Sequence, residues 1–254
     1  LNTELSKISQ WLAANKLSLN VGKSKLLIFS NQKSDTQISE ENLEDNGIKL
    51  FMNGERLKEV EFAKYLGVLI DNKLKWTNQI DAINLKLSKG NGLLAKIRHF
   101  VPNSVIRTLY FSFINPHTDY NLLNWGMASI TSLESIAKNI KKAVRIISFE
   151  DYHSPSIPLF KKLNILPLVC SIKLRYSKFM WKLYNGLLPI SLSSYFYSNT
   201  RTQYSVSDSR LVSLENFVLF LGPKVWNEIP NNIRQKTTLS SFSKTLAKYF
   251  IESL

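Results

Sequence analysis

The sequence predicts an α/β part followed by a mostly α part, and three observations carry that expectation. Up to residue 71, after one opening amphipathic segment, apolar residues come in short runs separated by turn-forming residues. After Trp76 the apolar spacing changes to three and four and mostly stays so. Basic charge also accumulates along the chain. Residues 1–60 carry 8 Lys and Arg against 8 Asp and Glu, residues 61–130 carry 8 against 4, and residues 131–254 carry 17 against 7.

Leu1, Leu5, Ile8 and Leu12 recur at helical spacing with Trp11 beside them, which predicts a first helix of about 14 residues. NKLSLNV then alternates, and KLLIF (25–29) suits a short buried strand. Residues 31–47 are polar and acidic, as a loop would be. IKLFMNGERLKEV (48–60) reads as a hairpin, because Asn53-Gly54 supplies the positive φ angles of a tight turn. KYLGVLI (64–70) reads as a third strand. Ile80, Ile83, Leu87, Leu94 and Ile97 share one helix face, Pro102 stops that helix, and Val105 to Phe113 resume the period. Pro116 to Trp125 reads as a loop. The clearest helix runs from Ile130 to Ile147, with Leu133, Ile136, Ile140, Val144 and Ile147 on one side. Residues 167–188 give another, 198–213 read as extended, and two helices around 217–226 and 239–252 close the chain. There is no internal repeat.

Composition narrows the function. With 254 residues, 44% hydrophobic, the chain has enough apolar material for a packed core. Its formal net charge of +14 favours a polyanionic partner, nucleic acid before anionic membrane. The single cysteine, Cys170, cannot form an intrachain disulfide, which points to a reducing compartment. The expected location is therefore intracellular, nucleus or cytoplasm, and not secreted. His99, His117 and His153 stand at no metal-ligand spacing to each other or to Cys170. No apolar run approaches the roughly 18 residues of a membrane span. The chain opens on Leu1 without a signal peptide pattern and reads as a piece of something longer.

Two glycine motifs fail on context. Gly22-Lys23-Ser24 lacks the earlier glycine of a phosphate loop, since Leu17 stands there, and it precedes a strand instead of a helix. Gly90-Asn91-Gly92-Leu93-Leu94-Ala95 fits a dinucleotide pattern but lies in a segment of helical period. A helix break or a close helix–helix approach explains it better. Lys138, Lys141, Lys142 and Arg145 are spaced 3, 4 and 7 from the first and form one stripe opposite the apolar face, with only Glu134 near to offset them. That stripe is either a solvated face or a surface for phosphates. Trp76, Trp125, Trp181, Trp226 and Tyr110 all sit beside apolar residues and are expected in the core.

The ordered series of motifs resembles the reverse transcriptases of non-LTR retrotransposons, the jockey-like LINE type. The series is LSLNVGKSKLLIF (17–29), FAKYLGVLIDNKLKW (62–76), KLSKGNGLLAKIR (86–98), FSFINPHTDYNLLNWG (111–126), LFKKLNILPL (159–168), FMWKLYNGLLP (179–189), NTRTQY (199–204), GPKVWNEIP (222–230) and SSFSKTLAKYF (240–250). The resemblance covers nearly the whole chain. It implies the end of a polymerase palm over 1–71, a helical thumb over 72–150 and a basic helical C-terminal region over 151–254. YLGVLID resembles the primer grip, the hairpin that holds the 3′ end of the growing strand. Tyr65, Leu66 and Gly67 would then meet the primer, with Gly67 admitting a close backbone approach and Lys73 and Lys75 placed for phosphate. Lys23, with Lys25 as the alternative register, matches a lysine thought to assist the leaving pyrophosphate.

The resemblance implies an RNA template and a DNA primer as partners and Mg²⁺ for the full-length enzyme. That chemistry needs carboxylates converging on two metal ions. The chain has no Asp-Asp in an apolar hairpin; Glu44-Asp45 lies in a polar loop and Glu150-Asp151 follows a helix. The expectation is therefore a fragment that binds template and primer, lacks a metal site and a cofactor of its own, and is inactive without an upstream fingers and palm segment. Two other readings stand beside it. One is a standalone basic nucleic-acid-binding module, a domesticated remnant. The other is a scaffold whose basic face meets acidic protein.

Overall fold

A computed structural model describes residues 1–29, 48–200, 203–206 and 218–254. The acidic loop expected at 31–47, with Glu44-Asp45, lies outside the described residues, as do positions 201–202 and 207–213 of the expected extended segment. The described chain is mostly helical, with a few short strands in two-stranded sheets. It divides into two compact units, Leu1–Asn78 and Gln79–Leu254.

The first unit opens with α1 (Asn2–Ala14), followed by a 3₁₀ turn at Val21–Lys23 and strand β1 (Lys25–Leu26). Asn2 binds the first hairpin from the helix: its Nδ2 donates to the Lys49 carbonyl, and its Oδ1 accepts from Phe51 N–H at 3.0 Å. That hairpin is β2 (Phe51–Met52) and β3 (Glu55–Arg56), turned at Asn53 and Gly54 with φ of 53° and 82°. Two successive positive φ angles make the type I′ turn that the Asn-Gly pair predicts. Strand β4 (Lys58–Glu59) leaves the hairpin to pair in parallel with β1, Lys25 opposite Lys58. The expected strand 25–29 therefore shortens to two paired residues, because its partner β4 is itself only two long.

Among the described residues the apolar face of α1 is only partly covered, with Leu5 and Leu12 half-buried. Leu1, Ile8 and Trp11 are exposed, Trp11 at 61%, and no residue of the helix is buried. The helical period is as expected, but among the described residues of this unit no α1 side chain is fully buried.

The last strands of the unit are β5 (Phe62–Tyr65) and β6 (Val68–Asp71), an antiparallel pair. The expected single strand 64–70 is thus a hairpin, broken at Leu66-Gly67.

In the second unit α2 (Thr77–Ile97), which begins two residues earlier, buries Ile80, Ile83, Leu87 and Leu94 as their spacing requires. α3 (Asn103–Phe113) follows Pro102. The expected loop 116–125 is instead two short helices, α4 (Asn115–Asp119) and α5 (Leu122–Trp125). Extended Tyr120 and left-handed Asn121 separate them, and Trp125 Nε1 closes the corner on the Tyr120 carbonyl at 2.8 Å. α6 (Ile130–Ser148) starts on a Ser129 cap that accepts from Ser132 N–H. α7 (Ser156–Leu163) and α8 (Leu168–Tyr184) begin after Pro155 and Pro167, and α9 (Ile190–Ser193) after Pro189. Strands β7 (Phe196–Thr200) and β8 (Gln203–Val206) pair antiparallel. α10 (Val218–Glu228), α11 (Asn231–Arg234) and α12 (Leu239–Glu252) complete the chain.

One core joins α8, α10 and α12 through Met180, Trp181, Trp226, Phe242, Leu246 and Phe250. α6 packs on α3, α7 and α8. α6 and the helices it packs on lie together in the unit Gln79–Leu254.

Gly90 and Gly92 divide the motif between them. A Cβ on Gly90 would stand 2.7 Å from Ile114 Cδ1 and 3.2 Å from the Phe113 carbonyl oxygen, whereas one on Gly92 meets nothing within 4 Å. Only the first marks a close helix approach. Gly92→Ala should raise stability by about 1 kcal/mol through helix propensity alone. Gly90→Ala should lower it, since the Phe113 backbone must yield. Denaturant melts of the two variants give the comparison.

Candidate nucleic-acid interface

The β5–β6 hairpin closes on a two-residue turn. Tyr65 pairs with Val68, and between them Leu66 and Gly67 have φ of 46° and 85°. This is again a type I′ backbone, which Asn-Gly suits and leucine does not. Val68 is buried, but Tyr65 is 65% exposed and Leu66 74%. The tip therefore presents an aromatic and an aliphatic side chain to solvent from a left-handed position. Such a conformation costs a non-glycine residue of order 1 kcal/mol or more. Gly67 holds the positive φ that the second position of this turn requires.

The turn after the hairpin is organised by Asp71. Its Oδ1 accepts from Lys73 N–H at 3.2 Å and Lys75 N–H at 2.9 Å, and its Oδ2 accepts from Trp76 N–H at 2.6 Å. Leu74 and Trp76 both hold positive φ within this loop. Trp76 is buried and anchors the far end. With their backbones fixed this way, Lys73 and Lys75 are exposed and make no ion pair among the described residues. Sequence reasoning passed over Asp71; an aspartate ahead of Asn72 and two lysines is the signal for such a carboxylate-held turn.

Lys23 ends the 3₁₀ turn. Its N–H is held by Asn20 Oδ1 at 3.0 Å, and its side chain is exposed without an ion pair among the described residues. The Gly22-Lys23 backbone thus forms a local capped turn, not a phosphate loop.

On α6, Lys138, Lys141 and Lys142 are exposed opposite the buried Ile136, Ile140, Ala143, Val144 and Ile147. Arg145 differs. Its Nε donates to the Ser154 carbonyl at 2.8 Å and its guanidinium lies 5.8 Å from the Tyr152 ring, so it fastens the chain after α6. One flank of α6 meets α2 through a polar ladder that sequence patterning did not show. Asn84 Nδ2 donates to Ser135 Oγ, Asn139 Nδ2 to Asn84 Oδ1, and Asn91 Nδ2 to the Asn139 carbonyl.

Trp76, Trp125, Trp181, Trp226 and Tyr110 are all buried, as their apolar neighbours predict. Among the described residues no three His, Cys, Asp or Glu side chains converge as a metal set. The described residues do not fit a two-metal site, so no phosphoryl-transfer step follows from them. No helix among them is long and apolar enough to cross a membrane. Compared with protein-family models, curated proteins and solved structures, the chain finds no match.

Proposed function

We propose that this chain is the template–primer-holding part of a LINE-type reverse transcriptase, supplying a primer-grip hairpin and a basic helical thumb to a fingers and palm segment that carries the metal-binding aspartates. The observation that carries the reading is the β5–β6 hairpin. It spends backbone strain to keep Tyr65 and Leu66 exposed at its tip, and it stands where the motif series puts a primer grip. The exposed Leu1, Ile8 and Trp11 of α1 support it too, as side chains on which a further palm segment would pack. In this reading the chain positions nucleic acid and the chemistry belongs to the partner segment.

The lysine stripe tests the binding half. Arg145 has a structural task, so the informative variant is Lys138→Glu, Lys141→Glu, Lys142→Glu with Arg145 kept. Binding of an RNA–DNA hybrid should weaken, and the log–log salt slope should fall by roughly 0.9 per phosphate contact removed if the duplex behaves like B-form. Helicity should be unchanged. An intact slope makes the stripe a solvated face. No hybrid binding at physiological salt by the parent chain favours the protein-scaffold reading.

A further inference from the structure

A pocket of about 340 Å³ opens between the α4–α5 corner and α8. Arg175, Lys178 and Lys182 all line it; spaced three and four along α8, they share one helix face. Asp119, on the opposite wall, clasps Arg175: Nε donates to Oδ1 at 2.7 Å, and a second bond joins Nη2 to Oδ2. This fork uses the pocket's one carboxylate. Lys178 is half-buried and Lys182 exposed, and neither has a hydrogen bond or ion pair among the described residues. Burial pushes the Lys178 pKa down, Arg175 and Lys182 push it further, and Asp119 opposes them. Asn121 also lines the pocket; its Oδ1 accepts from Asn124 Nδ2, and its own Nδ2 is a further donor there. Phe179, Leu122, Leu188 and Leu239 supply an apolar wall.

Three cations around one carboxylate leave a net charge of +2 in a concave, partly desolvated site. Arg175 ties α8 to α4 through Asp119, but Lys178 and Lys182 serve no such contact, since the buried side of α8 runs through Tyr176 and Met180. A carboxylate ligand or a phosphodiester brings one negative charge and leaves a surplus. A phosphomonoester brings about −1.5 to −2 at neutral pH and three acceptor oxygens, and two ammonium groups and an amide can meet those oxygens. The apolar wall beside the cations suits a nucleoside.

We propose that this pocket is a receptor for a nucleoside phosphomonoester, either a free mononucleotide or the 5′-phosphorylated end of a strand. The inference does not rest on the polymerase reading, because its first probe is a mononucleotide in the absence of any duplex.

Calorimetric titration of the full chain with AMP, adenosine and inorganic phosphate tests it. AMP should bind more tightly than phosphate, and adenosine should bind at least tenfold more weakly than AMP. Lys178→Met and Lys182→Gln should each lower AMP affinity about tenfold or more, the scale of one charge-assisted hydrogen bond. Lys178→Met should leave the melting temperature unchanged or higher, since it removes a half-buried like charge. If that variant fails to fold, exposed Lys182 decides the matter. An oligonucleotide bound tenfold tighter with a 5′-phosphate than with a 5′-hydroxyl assigns the site to a strand end; equal binding, with AMP still bound, assigns it to the free nucleotide. AMP binding no tighter than adenosine, or untouched by both variants, overturns the proposal.

Discussion

Asp71→Ala is expected to release the turn between β6 and α2 and to cost about 2–4 kcal/mol. A hydrogen bond to a charged group contributes about 1.5–3 kcal/mol, and the Asp71 carboxylate accepts three from backbone N–H groups. The sum is discounted because the donors at Lys73 and Lys75 are near solvent, and water can replace the carboxylate there. The donor at Trp76 is part-buried and has no such substitute. The same carboxylate also holds Leu74 and Trp76 at positive φ, which neither residue prefers. Losing it frees the indole to leave its buried site. Amide exchange at Lys73, Lys75 and Trp76 should accelerate together, while that of α8, in the other unit, should not change. Asp71→Asn should fall between, since one carbonyl oxygen can still serve the Oδ1 donors. Unchanged exchange at Trp76 in the alanine variant would mean the loop is held by packing alone.

The features that were legible in the sequence are local. The helix faces of α2 and α6 follow from apolar spacing, and the Asn53-Gly54 turn follows from residue type. What escaped depends on partners far along the chain or on side chains with several uses. β1 takes its length from β4, more than thirty residues on, and no local pattern near KLLIF shows that. Arg145 looks like its neighbouring lysines until Ser154 turns back to meet its Nε. Asp119 and Arg175 stand 56 positions apart, so the pocket they anchor has no sequence signature. At KYLGVLI the apolar run hid a turn, because the position that wants asparagine holds Leu66. That mismatch is informative. Leu66 combines a backbone that asparagine or glycine suits better with an apolar side chain that is 74% exposed.

The mismatch gives the sharpest test of the primer-grip reading, once the chain is rejoined to a matching fingers and palm segment. Gly67→Val cannot serve, because a β-branched residue at a φ of 85° would break the turn and mix stability with function. Leu66→Asn separates them. Asparagine tolerates the left-handed conformation and completes an Asn-Gly type I′ turn, so the hairpin should be as stable as before or more so. The apolar tip, however, is gone. If Tyr65 and Leu66 seat the primer end, the 3′-OH loses its lateral support, and a displacement of about 1 Å costs on the order of 100-fold in rate. Single-turnover nucleotide addition should fall while the melting temperature holds or rises. Hybrid affinity, spread over many phosphate contacts, should change little. Lys23→Ala provides the contrast. Its side chain is exposed and its turn is held by Asn20, so folding should not notice the change. Only the rate of addition should drop if the ammonium acts on the leaving pyrophosphate. A Leu66→Asn enzyme that gains stability and keeps its full rate would show that the tip touches no primer, and Leu66 would then be a tolerated misfit in an ordinary turn.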